Sequence, residues 1–297
     1  MKNFYLITLF MCLSNLQAWA TGSSEKAVYD LIERVTPGYA SQYRLEIISS
    51  ENGNDIYEVD GDGQKIILRG NNAVSLATAF NWYLKYTCHA HVSWFGNQLE
   101  LPAKLPQPAH KERRIINGKY RVYMNYCTVS YTAAWWNWER WQQELDYMAM
   151  NAINMPLFSV GLDGVWYNTL LRFNFTEEEA RAFLTGPGHS AWQWMQNIQS
   201  YGGPLPKSVI DKHVALGKKI LARQLELGMQ PIQQGFSGYV PRELQKKYPQ
   251  AKISMKRKWC GFDGTAQLDP TDPLFHEMGL AFLEEQDKLF GSYGAYA

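Results

Sequence analysis

The sequence has 297 residues, of which 46% are hydrophobic and 14% aromatic, and this composition excludes an intrinsically disordered chain. Its 29 basic and 28 acidic residues give a net charge of +1, so the charge balance does not favour binding to nucleic acid or to an anionic membrane. The 11 Trp, 18 Tyr and 13 Phe residues are the most unusual feature of the composition.

The first 20 residues have the pattern of a secretory signal peptide. Lys2 precedes an apolar run from Phe4 to Leu13, and Ala18-Trp19-Ala20 is the small-x-small pattern that signal peptidase cleaves. The apolar run is too short to span a bilayer, and no later stretch of the sequence is long enough. We therefore predict cleavage after Ala20 and export to a periplasm or to the medium.

Three cysteines, Cys88, Cys127 and Cys260, follow the predicted cleavage site at wide spacings. They allow one disulfide and one thiol, or three buried thiols, and the sequence does not choose between these arrangements. The cluster Cys88-His89-Ala90-His91 has metal-binding residue types, but no second ligand pair with metal-like spacing accompanies it. We therefore predict no metal site.

Residues 21–112 predict a small N-terminal α/β domain. The pattern indicates a helix over residues 25–34, strands over 43–49, 56–59 and 65–68, and a second helix that ends at residue 86. The Asp-Gly-Asp-Gly sequence at 60–63 favours a hairpin turn over a calcium loop, and Asn72 is placed to cap the second helix. The proline-rich stretch 101–110 predicts a linker before the next domain.

Residues 113–297 alternate between predicted strands and helices. Strands are predicted over 120–127, 153–160 and 229–236, helices over 138–152, 207–227 and 273–290, and a fourth strand begins at 293. A capping box that begins at Thr176 predicts a further short helix, and is a better explanation of the sequence Asn174-Phe175-Thr176 than glycosylation.

Alternating strands and helices of this kind predict right-handed βαβ units in a parallel sheet. The long loops rich in Trp, Tyr, Gly and Asn suit the active-site face of a (β/α)8 TIM-type barrel. A complete barrel needs about 250 residues. We therefore expect the first half of a barrel, about four of its eight units, truncated at the C-terminus. An open four-stranded α/β domain is the alternative, but it would leave an unpaired edge strand.

Several ordered motifs resemble one family of glycosidases. Asn125 offers hydrogen bonds suited to a sugar, Tyr131 and the nearby tryptophans offer flat faces, and the helix pattern places Trp138 and Trp141 in the core. The runs 120–131, 146–154, 184–192, 201–206, 228–231 and 236–241, together with Trp259, resemble the α-N-acetylglucosaminidases of glycoside hydrolase family 89. The resemblance covers nearly all of the chain that follows the predicted signal peptide.

The resemblance implies a pocket for a terminal N-acetylglucosamine. The positions that match the family's pocket are Asn125, Cys127, Tyr131, Trp192, Met195 and Trp259. In that pocket Asn125 would hydrogen-bond the sugar hydroxyls, Trp192 and Trp259 would wall the ring, and Cys127 and Met195 would fill apolar corners. The implied partner is a glycan with a terminal α-linked N-acetylglucosamine.

The resemblance also implies a retaining hydrolase that uses two glutamates and neither a metal nor an organic cofactor. The two carboxyl groups of such an enzyme lie about 5 Å apart. The family's acid/base glutamate belongs to an Asn-Glu pair at the end of the fourth strand, so we expect both glutamates beyond Ala297 and no activity from residues 1–297 alone. Asp163 is the only acid that the pattern places near the mouth of the barrel.

Two other functions are compatible with the residues. A non-catalytic carbohydrate-binding protein would use the same aromatic loops without an acid. A related barrel glycosidase such as an α-glucuronidase would need basic residues in the loop motifs for the uronate carboxylate, and none is placed there. An Asn-Glu sequence shortly downstream of Ala297 would favour the glycosidase over the binding protein.

Overall fold

The computed structural model describes residues 24–297, which form two compact units. The first unit contains the described residues up to Tyr123 together with Gln142–Pro156 and Arg223–Gln230. The second unit contains Met124–Trp141, Leu157–Ala222 and Pro231–Ala297. The predicted signal peptide and its cleavage site after Ala20 lie outside the described residues. None of the helices in residues 24–297 combines the length and the apolar character needed to cross a membrane.

The first unit is built on a four-stranded sheet covered by helices. Its elements are helix α1 (residues 24–35), strands β1 (Tyr43–Ile47), β2 (Ile56–Gly61) and β3 (Ile66–Gly70), helix α2 (Ala73–Tyr86) and strand β4 (Glu112–Ile115). The strand order is β1-β3-β2-β4, with β1 and β3 parallel and the other pairs antiparallel. The predicted helices, strands and hairpin are confirmed.

Helix α2 forms where a cap and an apolar stripe coincide. The side chain of Asn72 accepts a hydrogen bond of 2.8 Å from the backbone N–H of Ser75, which satisfies a donor that the first turn leaves free. Leu76, Phe80 and Leu84 lie one turn apart and are fully buried. Both features were predicted, and together they fix the start and the buried face of this helix.

The predicted linker and domain boundary lie at the end of this sheet. Residues 101–110 contain no helix or strand, as the prolines predict. The predicted boundary between residues 112 and 113 falls inside β4, which pairs with β2. The boundary itself stays a prediction.

The remaining elements alternate along the chain. The helices are α3 (Tyr126–Tyr131), α4 (Trp138–Met150), α5 (Leu162–Leu171), α6 (Glu177–Phe183), α7 (Ser190–Trp194), α8 (Lys207–Glu226), α9 (Leu244–Lys247) and α10 (Pro273–Phe290). The strands are β5 (Val122–Tyr123), β6 (Met155–Pro156), β7 (Tyr239–Val240), β8 (Ile253–Met255) and β9 (Ala266–Leu268).

The parallel pairings follow the order of a TIM-type barrel. In the first unit β5 pairs in parallel with β6, and α4 lies between them in the sequence. In the second unit Leu157 forms a parallel bridge with Ile232, and Gln233 forms one with Tyr296. Helices α8 and α10 precede the second and third of these pairings in the chain, so each strand is followed by a helix, as in the first part of a (β/α)8 barrel.

Three predicted strands were too long, and one sheet was not predicted. Residues 153–160 form only β6 and a bridge at Leu157, and residues 229–236 form only bridges at Ile232 and Gln233. Residues 120–127 were predicted as one strand, but β5 covers only Val122–Tyr123 and α3 begins at Tyr126, because Asn125 caps that helix by accepting from the N–H of Thr128. The antiparallel sheet with the order β7-β9-β8 was not predicted. Its strands contain only two or three residues, too few to show an alternating pattern.

Candidate functional site

Helix α3 carries the first three predicted site residues. The Oδ1 atom of Asn125 accepts hydrogen bonds of 3.1 Å from both the backbone N–H and the hydroxyl of Thr128, so its carbonyl is used in capping α3. Asn125 is exposed, and its Nδ2 makes no hydrogen bond to any residue within 24–297. Cys127 lies half-buried on the first turn, and Tyr131, at the end of the helix, is 76% exposed. The amide N–H groups of Asn125 are therefore available to a ligand.

Helix α7, which carries Trp192, is held against α3 by one serine. The hydroxyl of Ser130 donates to the carbonyl of Pro187 at 3.3 Å and accepts from the N–H of Ala191 at 2.9 Å. The ring centroids of Tyr131 and Trp192 are 5.0 Å apart in an edge-to-face arrangement. The structure thus brings these two predicted residues into direct contact.

Trp259 is connected to Trp192 through three further rings. Trp259 stacks on Phe262, with centroids 6.2 Å apart, and Phe262 meets Tyr201 at 4.9 Å. Tyr201 meets His189 at 4.5 Å, and the His189 and Trp192 centroids are 6.4 Å apart. We call the series Tyr131, Trp192, His189, Tyr201, Phe262 and Trp259 the aromatic chain. It joins segments that are more than 120 residues apart in the sequence.

The sequence reasoning missed three members of the aromatic chain. His189 and Tyr201 lie inside the runs 184–192 and 201–206 that carried the family resemblance, but nothing in those runs singled them out as ring contacts. Phe262 lies three residues after Trp259, and a single aromatic residue in a loop carries no signal of its own. Only the folded structure shows that these rings touch.

Met195 lies beside a second link between the same loops. The carbonyl of the next residue, Gln196, accepts from the hydroxyl of Thr265 at 2.8 Å, and its Oε1 accepts from Nζ of Lys256 at 2.7 Å. Burial lowers the pKa of Lys256 below its ordinary value. Lys256 directly follows β8, in the segment that also carries Trp259, so these hydrogen bonds hold that segment against the end of α7.

Comparison with known proteins identifies the family. The family model "Alpha-N-acetylglucosaminidase (NAGLU) tim-barrel domain" matches residues 121–297, and the model "Alpha-N-acetylglucosaminidase (NAGLU) N-terminal domain" matches residues 26–107. The chain belongs to the α-N-acetylglucosaminidase family. The resemblance inferred from the sequence motifs is confirmed, as is the arrangement of a small α/β domain followed by part of a TIM-type barrel.

Individual members of the α-N-acetylglucosaminidase family show how much of the fold is present. The human "Alpha-N-acetylglucosaminidase" is 34% identical over 281 residues, which are 91% of this chain and 38% of the human protein. The family 89 glycoside hydrolase of Clostridium perfringens, in complex with 2-acetamido-1,2-dideoxynojirmycin, superposes with a TM-score of 0.91 at 32% identity. The match covers 98% of this chain and 34% of that one. The same Clostridium perfringens protein has been solved with its substrate GlcNAc-alpha-1,4-galactose.

Asp163, the acid predicted near the barrel mouth, is paired with a histidine. Its Oδ2 lies 2.6 Å from Nδ1 of His213, and it is 4% exposed. Burial alone lowers the pKa of His213, but the hydrogen bond to Asp163 and its negative charge outweigh burial and raise that pKa above its ordinary value. A carboxylate held in such a pair is poorly suited to act as a nucleophile.

Among the described residues, the potential metal ligands and the cysteines form neither a metal-ligand group nor a disulfide. Residues 24–297 contain no group of three or more His, Cys, Asp or Glu side chains placed to hold a metal ion. Cys88, Cys127 and Cys260 are free thiols, so they form no disulfide, but they are not three buried thiols either, since Cys88 and Cys127 are half-buried and Cys260 is exposed. The exposed Cys260 directly follows Trp259 in the sequence.

Proposed function

We propose that the chain is the N-terminal part of an exported, exo-acting α-N-acetylglucosaminidase that removes terminal α-linked N-acetylglucosamine from glycans. The observation that carries the proposal is the aromatic chain, which joins Tyr131 on α3, Trp192 on α7 and Trp259 in the loop after β8. The family membership and the substrate bound to the Clostridium perfringens relative support it. The relatives are about three times as long as this chain, so the proposal concerns a longer protein.

The proposed sugar-binding groups complement a pyranose ring. Trp192 and Trp259 offer flat apolar faces to the C–H side of the sugar, and Tyr131 packs its edge against Trp192 and limits the movement of that ring. The free Nδ2 of Asn125 can donate to a hydroxyl or to the acetamido carbonyl. Cys127 and Met195 supply polarisable apolar surface beside these groups.

We propose that catalysis follows the retaining double displacement that the family implies. One glutamate would protonate the leaving oxygen while the other attacks the anomeric carbon, and water would then release the sugar from the covalent intermediate. We place both glutamates beyond Ala297, on barrel strands that follow residues 113–297. No metal or organic cofactor takes part in this scheme.

Removing Asn125 or Trp259 is expected to weaken the longer enzyme without unfolding it. A hydrogen bond to the sugar contributes about 1 kcal/mol and a well-placed tryptophan about 2 kcal/mol. We therefore expect kcat/KM for an aryl α-N-acetylglucosaminide to fall about fivefold in Asn125→Ala and about thirtyfold in Trp259→Ala. Steady-state kinetics and thermal denaturation of the same preparations measure both quantities.

The matched control is Phe95→Ala, which removes a fully exposed ring remote from the aromatic chain in the sequence. It should change neither kcat/KM nor the melting temperature. A large fall in melting temperature for Asn125→Ala or Trp259→Ala would instead assign that residue a structural role. Unchanged kinetics in both variants would contradict the proposed site.

We propose that export removes residues 1–20. The apolar run 4–13 and the sequence Ala18-Trp19-Ala20 support cleavage after Ala20. Intact-mass spectrometry of protein recovered outside the cytoplasm is expected to give a chain that starts at Thr21. A chain that retains Met1, or one that starts at a lipid-bearing Cys12, would contradict the proposal.

A further inference from the structure

The second unit contains a cavity of about 360 Å³ that the aromatic chain does not line. Four tryptophans contribute to its wall, Trp135, Trp136, Trp141 and Trp194, together with aliphatic side chains of α8 and its preceding loop. None of the six residues predicted to bind sugar is part of this wall. The volume falls within the range of small-ligand sites, which are about 300–1,000 Å³.

The polar groups of the cavity include a histidine–carboxylate pair and a lysine. Asp163 and His213 line it as an ion pair with 2.6 Å between Oδ2 and Nδ1. Lys212, the neighbouring residue on α8, also lines the cavity. Within residues 24–297, neither Nε2 of His213 nor Nζ of Lys212 has a hydrogen-bond or ion-pair partner. Nζ of Lys212, and Nε2 of His213 when the imidazole is protonated, are therefore available donors beside a mostly apolar wall.

Close backbone packing fixes the Asp163–His213 pair in place. A Cβ at Gly164 would lie 2.3 Å from the Val214 side chain, and a Cβ at Gly217 would lie 2.4 Å from the Val160 carbonyl oxygen. Only glycine at these positions lets α8 approach the start of α5 and the loop before it so closely. Asp163 lies on α5 and His213 on α8, so the pair is held by two tightly packed elements. Groups positioned in this way lose little freedom when a ligand binds.

We propose that this cavity binds a small aromatic carboxylate, with its ring among the tryptophans and its carboxylate on Nε2 of His213 and Nζ of Lys212. The aromatic wall favours a flat apolar body, and the unpaired positive charge of Lys212 favours an anion over a neutral or cationic ligand. Asp163 keeps the imidazole oriented with Nε2 toward the ligand. The site is separate from the sugar-binding residues and needs no catalytic group.

The test titrates the purified chain with 2-naphthoate and follows binding by calorimetry and by quenching of tryptophan fluorescence. We expect saturable binding at one site. The neutral analogue 2-naphthamide should bind at least about tenfold more weakly, since a charge-assisted hydrogen bond contributes about 1.5–3 kcal/mol. Lys212→Met and His213→Gln should each weaken 2-naphthoate binding about tenfold. Lys219→Met, an exposed lysine of α8 that does not line the cavity, should leave binding unchanged.

Four results would overturn the proposal, the first three of which concern the probe itself. These three are the absence of saturable binding, equal affinities for 2-naphthoate and 2-naphthamide, and unchanged affinity in Lys212→Met. Displacement of 2-naphthoate by N-acetylglucosamine would also overturn it, because the probe would then occupy the proposed sugar-binding residues. If His213→Gln fails to fold, the affinity of Lys212→Met for 2-naphthoate and the comparison with 2-naphthamide still test the proposal.

Discussion

The 297-residue chain by itself is expected to release no 4-nitrophenol from 4-nitrophenyl N-acetyl-α-glucosaminide, whereas the proposed longer protein is expected to hydrolyse it. Hydrolysis needs a proton donor at the leaving oxygen and a carboxylate at the anomeric carbon, held about 5 Å apart. Asp163, the acid that the sequence pattern places near the barrel mouth, is paired with His213 and lines a cavity that the proposed sugar-binding residues do not line. Loss of catalytic groups that act together reduces kcat by several orders of magnitude, to about 10⁻⁶ of the wild-type value in well-studied hydrolases.

Circular dichroism and a cooperative thermal transition of the purified chain serve as the control that it is folded. The longer protein, assayed at the same molar concentration, sets the reference rate. Turnover by the folded chain at a hundredth of that rate would contradict the expectation. Loss of that turnover in Asp163→Asn would then assign the catalytic role to Asp163.

Replacement of Trp166 by alanine is expected to lower the free energy of unfolding by about 3–5 kcal/mol, the cost of removing a buried large aromatic side chain. Trp166 is 2% exposed and lies at the centre of the core of the second unit. Four rings surround it at centroid distances of 5.0–6.2 Å, those of Phe183, Phe236, Tyr239 and Phe282. No single neighbour can move to fill the space, so a cavity would remain.

Two further variants show whether lost packing causes this effect. Trp166→Phe keeps most of the ring and removes an indole N–H that has no hydrogen-bond partner within residues 24–297, so it should cost less than about 2 kcal/mol. Leu280→Ala, on the exposed side of α10, should change stability by no more than about 0.5 kcal/mol. Urea denaturation measures all three variants, and equal losses for Trp166→Ala and Leu280→Ala would contradict the described core.

The helices were predictable wherever a cap and a periodic apolar face occur together. Thr176 and Glu179 form both hydrogen bonds of a capping box at the start of α6, as the sequence indicated. Helix α10 has the predicted bounds 273–290 and is followed by Gly291, whereas its Asp272 cap was not predicted. These signals are local, so they need no knowledge of the tertiary structure.

The predictions failed where one side chain or a very short element decides the structure. Asn125 was interpreted only as a ligand residue, yet its carbonyl caps α3 and ends the preceding strand early. Strands β7, β8 and β9 are defined by pairing with each other rather than by residue pattern. Such pairing depends on contacts between distant segments, and a single sequence does not show it.

The candidate site was predictable as a set of residues but not as an arrangement. The motifs identified Tyr131, Trp192 and Trp259, while the rings that connect them became visible only in the folded chain. The partner of Asp163 lies 50 residues away on another helix, and no pattern in the sequence links the two. The candidate site residues were therefore predicted from the family motifs, and the spacing and periodicity of residues alone would not have identified them.

The anomeric specificity of the longer protein tests the central proposal most directly. The protein is incubated with the 4-nitrophenyl α- and β-glycosides of N-acetylglucosamine, and release of 4-nitrophenol is followed. The proposal predicts release from the α-glycoside and none from the β-glycoside, with kcat/KM for the α-glycoside about thirtyfold lower in Trp259→Ala. Binding of N-acetylglucosamine without hydrolysis of the α-glycoside would contradict it and would indicate a carbohydrate-binding protein instead.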